Sequence, residues 1–350
     1  MCKLSRQLFG VTSDGVDVEL ITLDNGILSC GIITYGAVLQ SLRVPDRSGK
    51  LRDVVLGYDK IEDYECHSDY MGAVVGRVAN RIAQGRFTLN STTYHLAVND
   101  SPNHLHGGNH GFSHKVWTVQ DHTKTKLVLS LTSPDMDEGY PGELHVTVTY
   151  ELKDACLSMC YQAVSNKDTL CNLTGHSYFN LNGHDAGNIL DHILCIHADQ
   201  YTPSDKTSIP FGHLDPVSGT PMDFTYPSPI GAHIDDPFTQ LINARGYDHN
   251  YVLRNWNGSL HPAAHAYSPQ SGISMKVETT LPGLHFYTAN FLEEGLPGKD
   301  SAAYGPRHAF CLETQYFPDS VNQPSFPSVI LHPGQPYNHK SVFTFSCEKE

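Results

Sequence analysis

Basic side chains, helical periodicity, long apolar runs and paired cysteines are all scarce in this sequence of 350 residues. Lys and Arg total 23 against 37 Asp and Glu, giving a formal charge of −14. No block of basic residues offsets it, which argues against nucleic acid and anionic membrane as partners, because phosphate binding needs clustered cations. No segment approaches the roughly 18 apolar residues that a membrane-crossing helix needs, and MCKLSRQLFGVTSDG holds no apolar run of signal-peptide length. The chain is therefore expected to work in the cytoplasm. Nine cysteines are scattered without a CxxC pair, which predicts neither a disulfide framework nor a zinc ribbon; they read as small buried hydrophobes. Helical patterns are nearly missing. The best is DDPFTQLINA from Asp235, and one short helix excludes a Rossmann or TIM-barrel arrangement.

What the sequence does contain is strand periodicity. In LHVTVTYEL, Leu144, Val146, Val148, Tyr150 and Leu152 alternate with His145, Thr147, Thr149 and Glu151, so one face is apolar and the other polar. LVLSLT (127–132), LSMCYQAV (157–164), GISMKVE (272–278) and SVFTFSC (341–347) behave alike, and FTLNSTTYHL (87–96) reads as a hairpin. The 29 Gly and 21 Pro are spread evenly, without a linker or repeat. The pattern predicts an all-β fold, a large antiparallel β-sandwich with few short helices, forming a single domain over 1–350. Polar-aromatic stretches at 66–86, 99–114, 199–224 and 243–255 are long for loops of a compact β domain and are expected to line something.

Several side chains stand out within that frame. Glu313 lies inside the apolar strand AFCLETQ, where a carboxylate is costly unless something holds it, and burial raises a carboxyl pKa toward the range of a neutral-pH base. His176 opens HSYFNLNG where a strand ends. VGRVANRIAQGRF groups Arg77, Arg81 and Arg86 with Asn80; the alternative for these arginines is ordinary surface charge. GYDHNYVL places Asp248 and His249 at a strand entry. HLHGGNHGFSH concentrates His104, His106, His110 and His114, yet its spacing fits no zinc pattern and its glycines suit a tight turn. No metal is expected there.

Taken together, and in order along nearly the whole chain, ITYGAVLQSLRVPDRSG, GRVANRIAQGRFTLN, HLHGG, HSYFNLNG, YDHNYVL, FYTANF and LETQYFPDSVNQPSFP resemble the aldose 1-epimerases, or galactose mutarotases. The resemblance implies a large β-sandwich and the interconversion of α and β anomers of a free aldohexose such as galactose or glucose. It implies Glu313 as general base on the C1 hydroxyl and His176 as acid toward the ring oxygen. It also implies Asn80, Arg81, His106 and Asp248 as sugar contacts, and no cofactor. One departure stands out: LHFYTAN carries His285 where the family commonly has Gln. A ring nitrogen pair then replaces an amide at a sugar-binding position, which bears on hydroxyl preference. Two other readings remain at this point, a sugar-binding protein without turnover and a glycoside hydrolase on a related sandwich, the latter needing two carboxyls across the bond. Whether the protein is a monomer or a homodimer is open from sequence.

Overall fold

The computed structural model describes residues 5–347. Its largest element is a nine-stranded antiparallel sheet, in the order Thr118–His122, Lys126–Ser133, Leu144–Lys153, Cys156–Ser165, Tyr337–Cys347, Ile273–Thr279, His261–Tyr267, Ile193–Ile196 and Ser228–Pro229. In Leu144–Lys153 every second residue, from Leu144 to Leu152, is buried, as the alternation requires. The hairpin closes with Arg86–Leu89 on Thr92–His95. A five-stranded N-terminal sheet runs in chain order from Ser5–Val11 to Leu51–Asp53. A second five-stranded sheet has the order Asp215–Pro216, Ala198–Tyr201, Asp248–Leu253, Gly283–Tyr287 and Cys311–Gln315. One continuous apolar cluster draws on all three, with Ile21 and Leu23, Val146 and Val148, and Phe286 and Leu312 among its members. Among the described residues no helix is long and apolar enough to cross a membrane.

Among the described residues helix is confined to Ile61–Cys66 and Thr239–Ala244, besides short 3-10 turns. The second begins four residues after Asp235; the His233 ring bonds Asp236 at 3.0 Å and Phe238 is extended, so the chain enters the helix only after Pro237. The first escapes periodicity analysis because six residues supply only one buried pair, Ile61 and Tyr64.

The arginine cluster departs from its alternative reading as ordinary surface charge, since Arg77 is 2% exposed. Its guanidinium donates to the carbonyls of Ser133, Pro134, Pro141 and Gly142 and to the hydroxyls of Ser133 and Thr169, at 2.6–3.2 Å. It thus closes the loops behind the 76–80 segment. The cysteines are also mixed: Cys30, Cys171 and Cys311 are buried, Cys66 is exposed, and Cys156, Cys160, Cys195 and Cys347 are half-buried, while Cys2 lies outside the described residues. A buried Lys299, donating to the Gln40 and Val55 carbonyls and to Asp53, ties the N-terminal sheet to the loop at 296–302. Truncating Arg77 orphans several buried carbonyls at once. Arg77→Ala is expected to cost about 3–5 kcal/mol, read from urea denaturation, and a loss under 1 kcal/mol would contradict this role.

Candidate active site

The site follows from the register of three neighbouring strands. Asn250 lies opposite His285, which lies opposite Glu313; one step along, Asp248 lies opposite Tyr287 and Tyr287 opposite Cys311. Paired residues share a face. These rows therefore form one polar face, while His249, Tyr251, Leu284, Phe286 and Leu312 turn into the opposite, core-facing side. The polar face floors a cleft of about 330 Å³ whose lining includes Asn80, Arg81, His106, His176, Asp248, His285 and Glu313. All seven positions that the resemblance marks as catalytic or sugar-contacting, His285 included, thus converge on one space. Of the long polar stretches, 66–86, 99–114 and 243–255 contribute to its lining, and 199–224 does not; that segment instead sends Val217, Met222 and Phe224 into the core.

Glu313 is 1% exposed, and its Oε2 has no hydrogen-bond partner. Burial pushes its carboxyl well above the usual range, the charge of Asp248 pushes it further, and Arg81 opposes both. His176 follows the two-residue strand Thr174–Gly175, with its Nε2 3.7 Å from Glu313 Oε1. Its backbone is pinned by bonds from Gly72 N to its carbonyl and from its own N to Ala73 O. Burial lowers its imidazole to about 4. Both groups are thus driven toward their neutral forms, Glu313 protonated and His176 not.

Asp248 behaves in the opposite way. Burial alone would raise it, but the 2.7 Å bond from His285 Nε2, the His285 charge and Arg81 outweigh that and hold it at about 2. The other ring nitrogen of His285, Nδ1, is buried and has no partner. Arg81 pairs with Asp100 at 2.7 Å.

His106 shows how the histidine-rich stretch resolves. Gly107 and Gly108 have φ of +86° and +106°, and a Cβ on Gly107 would lie 1.9 Å from the Gly76 carbonyl, so glycine is required for the turn that aims His106 into the cleft. Backbone Asn80 N–H donates to His106 Nδ1 at 3.1 Å, which leaves the proton on Nε2. The neighbours have other work. His104 is fully buried between the Ala97 carbonyl and the Tyr140 hydroxyl, His114 bonds Ser113, and His110 uses its backbone N–H on Glu138.

Ligand atoms of His106, His176 and Glu313 lie within 4.8 Å of one another, a spacing open to a metal ion. The Asn80 N–H works against that use, because it occupies the lone pair of His106 Nδ1 and a cation at Nε2 would need the other tautomer. What sequence reasoning did not pick out are Tyr70, Tyr178 and Tyr287, which also line the cleft. Two of them stood inside quoted motifs, HSYFN and FYTAN, but a tyrosine in a strand or loop carries no chemical anomaly to draw notice.

The aldose 1-epimerase family model matches residues 19–344. The chain is 45% identical over 347 residues to galactose mutarotase of Homo sapiens, covering 99% of both chains. It is 35% identical over 341 residues to aldose 1-epimerase of Escherichia coli K12, covering 96% of this chain and 97% of that one. Among solved structures, an aldose epimerase homologue from C. elegans superposes with a TM-score of 0.84 at 29% identity, covering 94% of this chain and 98% of the other. Galactose 1-epimerase from Lactobacillus acidophilus superposes with a TM-score of 0.84 at 27% identity over 99% of each chain. With the family's motifs, its sandwich fold and a cleft lined by the residues those motifs carry, this chain belongs to the aldose 1-epimerase family.

Proposed function

We propose that the protein is an aldose 1-epimerase, interconverting the α and β anomers of free aldohexoses such as galactose and glucose, with Glu313 as base and His176 as acid. The observation that carries this reading is the facing of Glu313 and His176 at 3.7 Å on the floor of the polar cleft. Glu313 takes the proton from the C1 hydroxyl, the C1–ring oxygen bond breaks, and His176 Nε2–H delivers its proton to the departing ring oxygen. The result is an open-chain aldehyde, a protonated Glu313 and a neutral His176. Rotation about C1–C2 presents the other carbonyl face, and the same transfers in reverse close the ring with inverted C1. The reacting arrangement, Glu313 ionised and His176 protonated, carries the same single proton as the neutral pair that burial favours, so the pair needs no external reagent.

Asn80, Arg81, His106, Asp248 and His285 are the proposed sugar contacts. Asp248, ionised down to about pH 2, accepts from sugar hydroxyls and has no proton to give. His106, fixed as an Nε2–H donor, suits a sugar oxygen. We further infer that residues 1–350 work as one domain; the core cluster running from Ile21 to Phe345 supports it.

Polarimetry on freshly dissolved α-D-glucose and α-D-galactose checks the activity. Acceleration over buffer is expected, with Glu313→Gln and His176→Asn each losing about 10²- to 10⁴-fold in kcat; no acceleration by the native protein would defeat the reading. For His285, the unpartnered Nδ1 predicts an effect on selectivity: His285→Gln should change kcat/KM about tenfold or more for at least one of glucose, galactose, xylose and fucose relative to the others. Unchanged ratios would remove His285 from the specificity account.

Glu313 also affects stability. In the unfolded chain its carboxyl ionises near pH 4.3, whereas the folded value is raised. Folding at neutral pH therefore needs either proton uptake or a buried charge, a cost absent at low pH that grows as pH rises above the unfolded value. Glu313→Gln is expected to stabilise the sugar-free protein by about 1–2 kcal/mol at pH 7.5, with the gain shrinking toward pH 4.5; a Gln variant less stable at pH 7.5 would contradict the buried-charge account.

A further inference from the structure

His176 presents a difficulty that the two-residue mechanism leaves standing. An imidazole that must carry a proton at one stage sits fully enclosed, and burial opposes that charge. What surrounds the ring is mostly aromatic. Tyr178 lies nearly parallel to it, with centroids 5.0 Å apart at 21°, and Tyr70 also lies nearly parallel, at 6.2 Å and 26°. Tyr287 and His106 approach edge-on, at 6.2 Å and 79° and at 5.3 Å and 75°. The far nitrogen, Nδ1, has the Cys311 thiol 3.7 Å away. A thiol is both a weak donor and a weak acceptor, so it can serve Nδ1 in either protonation state without fixing one.

The two parallel tyrosines are also tied to each other's chain segments. The Tyr178 hydroxyl donates to the Asp69 carbonyl at 2.8 Å, directly before Tyr70, and segment 72–73 is hydrogen-bonded to the His176 backbone. Residues 69–73, Tyr178 and the His176 backbone thus form one hydrogen-bonded unit. Tyr70 has a left-handed backbone, φ +56°, and its ring also rests 4.6 Å from that of His106.

We propose that Tyr178 and Tyr70 are positioning residues for the epimerase reaction, holding the His176 ring with its Nε2 toward Glu313 and stabilising the imidazolium form through their ring faces. The negative face of an aromatic ring attracts a cation lying over it, and both tyrosines stack nearly parallel to the His176 ring, Tyr178 the nearer of the two. The remaining charged and titratable groups near His176 do not replace this. Asp248 favours a charged His176 but is taken up by His285, whose own charge opposes it, and Glu313 loses its charge whenever it takes the substrate proton. Arg81 and His106 add no negative charge. The rings are the part of the surroundings that stays the same through the catalytic cycle.

This inference rests on His176 being the acid, and its test separates the two claims. The kcat–pH profile would be measured by polarimetry for the native protein, Tyr178→Phe, Tyr178→Leu and Tyr70→Leu. Tyr70 is only half-buried, so Tyr70→Leu keeps the test valid if Tyr178→Leu does not fold. The Leu variants are expected to lose about tenfold in kcat, with KM changed less than about threefold, and their alkaline limb should move to lower pH. Tyr178→Phe, which keeps the ring face and loses only the bond to Asp69, should recover most of kcat and the native limb. Leu variants whose profile superposes on the native one, or a Phe variant as impaired as Leu, would overturn the proposal while leaving His176 as acid intact. A His176→Asn variant with native kcat would instead defeat the underlying reading.

Discussion

The strand register Asn250–His285–Glu313 is the constraint on which the site depends. Side chains alternate with a period of two, so a slip of one residue in Cys311–Gln315 would send Glu313 into the apolar core and bring Leu312 into the cleft. The same slip between Asp248–Leu253 and Gly283–Tyr287 would separate Asp248 from His285. Register is set by the other face: Tyr251, Leu284, Phe286 and Leu312 belong to the continuous core, and moving any of them out of it would expose apolar surface. The hydrophobic effect on one side of the sheet thereby positions the polar side chains of the cleft on the other.

The electrostatics of the cleft divide its groups into two kinds. Asp248 is given a partner and stays ionised; Glu313 is denied one at Oε2 and is pushed toward protonation. Two carboxylates on one sheet face thus acquire opposite protonation preferences from their surroundings. His176 is lowered by burial as Glu313 is raised, so burial reverses the ordinary order and favours a proton on Glu313 over one on His176. Elsewhere buried cations are held by several bonds each, the two terminal nitrogens of Arg77 behind the 76–80 turn and Lys299 between the N-terminal sheet and its neighbouring loop.

Much of this was legible in the sequence. The long strands declared themselves by alternation, and Glu313 by being a carboxylate where an apolar residue belongs. Motifs at separate places in the chain pointed to Asn80, Arg81, His106, His176, Asp248 and His285, and the fold brings them to one cleft. Other features were not legible, for physical reasons. Arg77 resembles any surface arginine in sequence, because its burial depends on carbonyls from residues 133–142 that converge only in three dimensions. Helix Ile61–Cys66 is shorter than two turns and gives no period to detect. The tyrosines around His176 are ordinary strand and loop residues by composition, and their common function lies in ring orientation, which a sequence does not contain.

The central claim is that Glu313 and His176 act as one proton-exchanging unit. A double-mutant cycle in kcat/KM for anomer interconversion, using Glu313→Gln, His176→Asn and the pair together, tests it most directly. If the two side chains work only in concert, the double variant should be about as slow as the worse single one. Losses that multiply, each residue contributing its full factor independently of the other, would contradict the account.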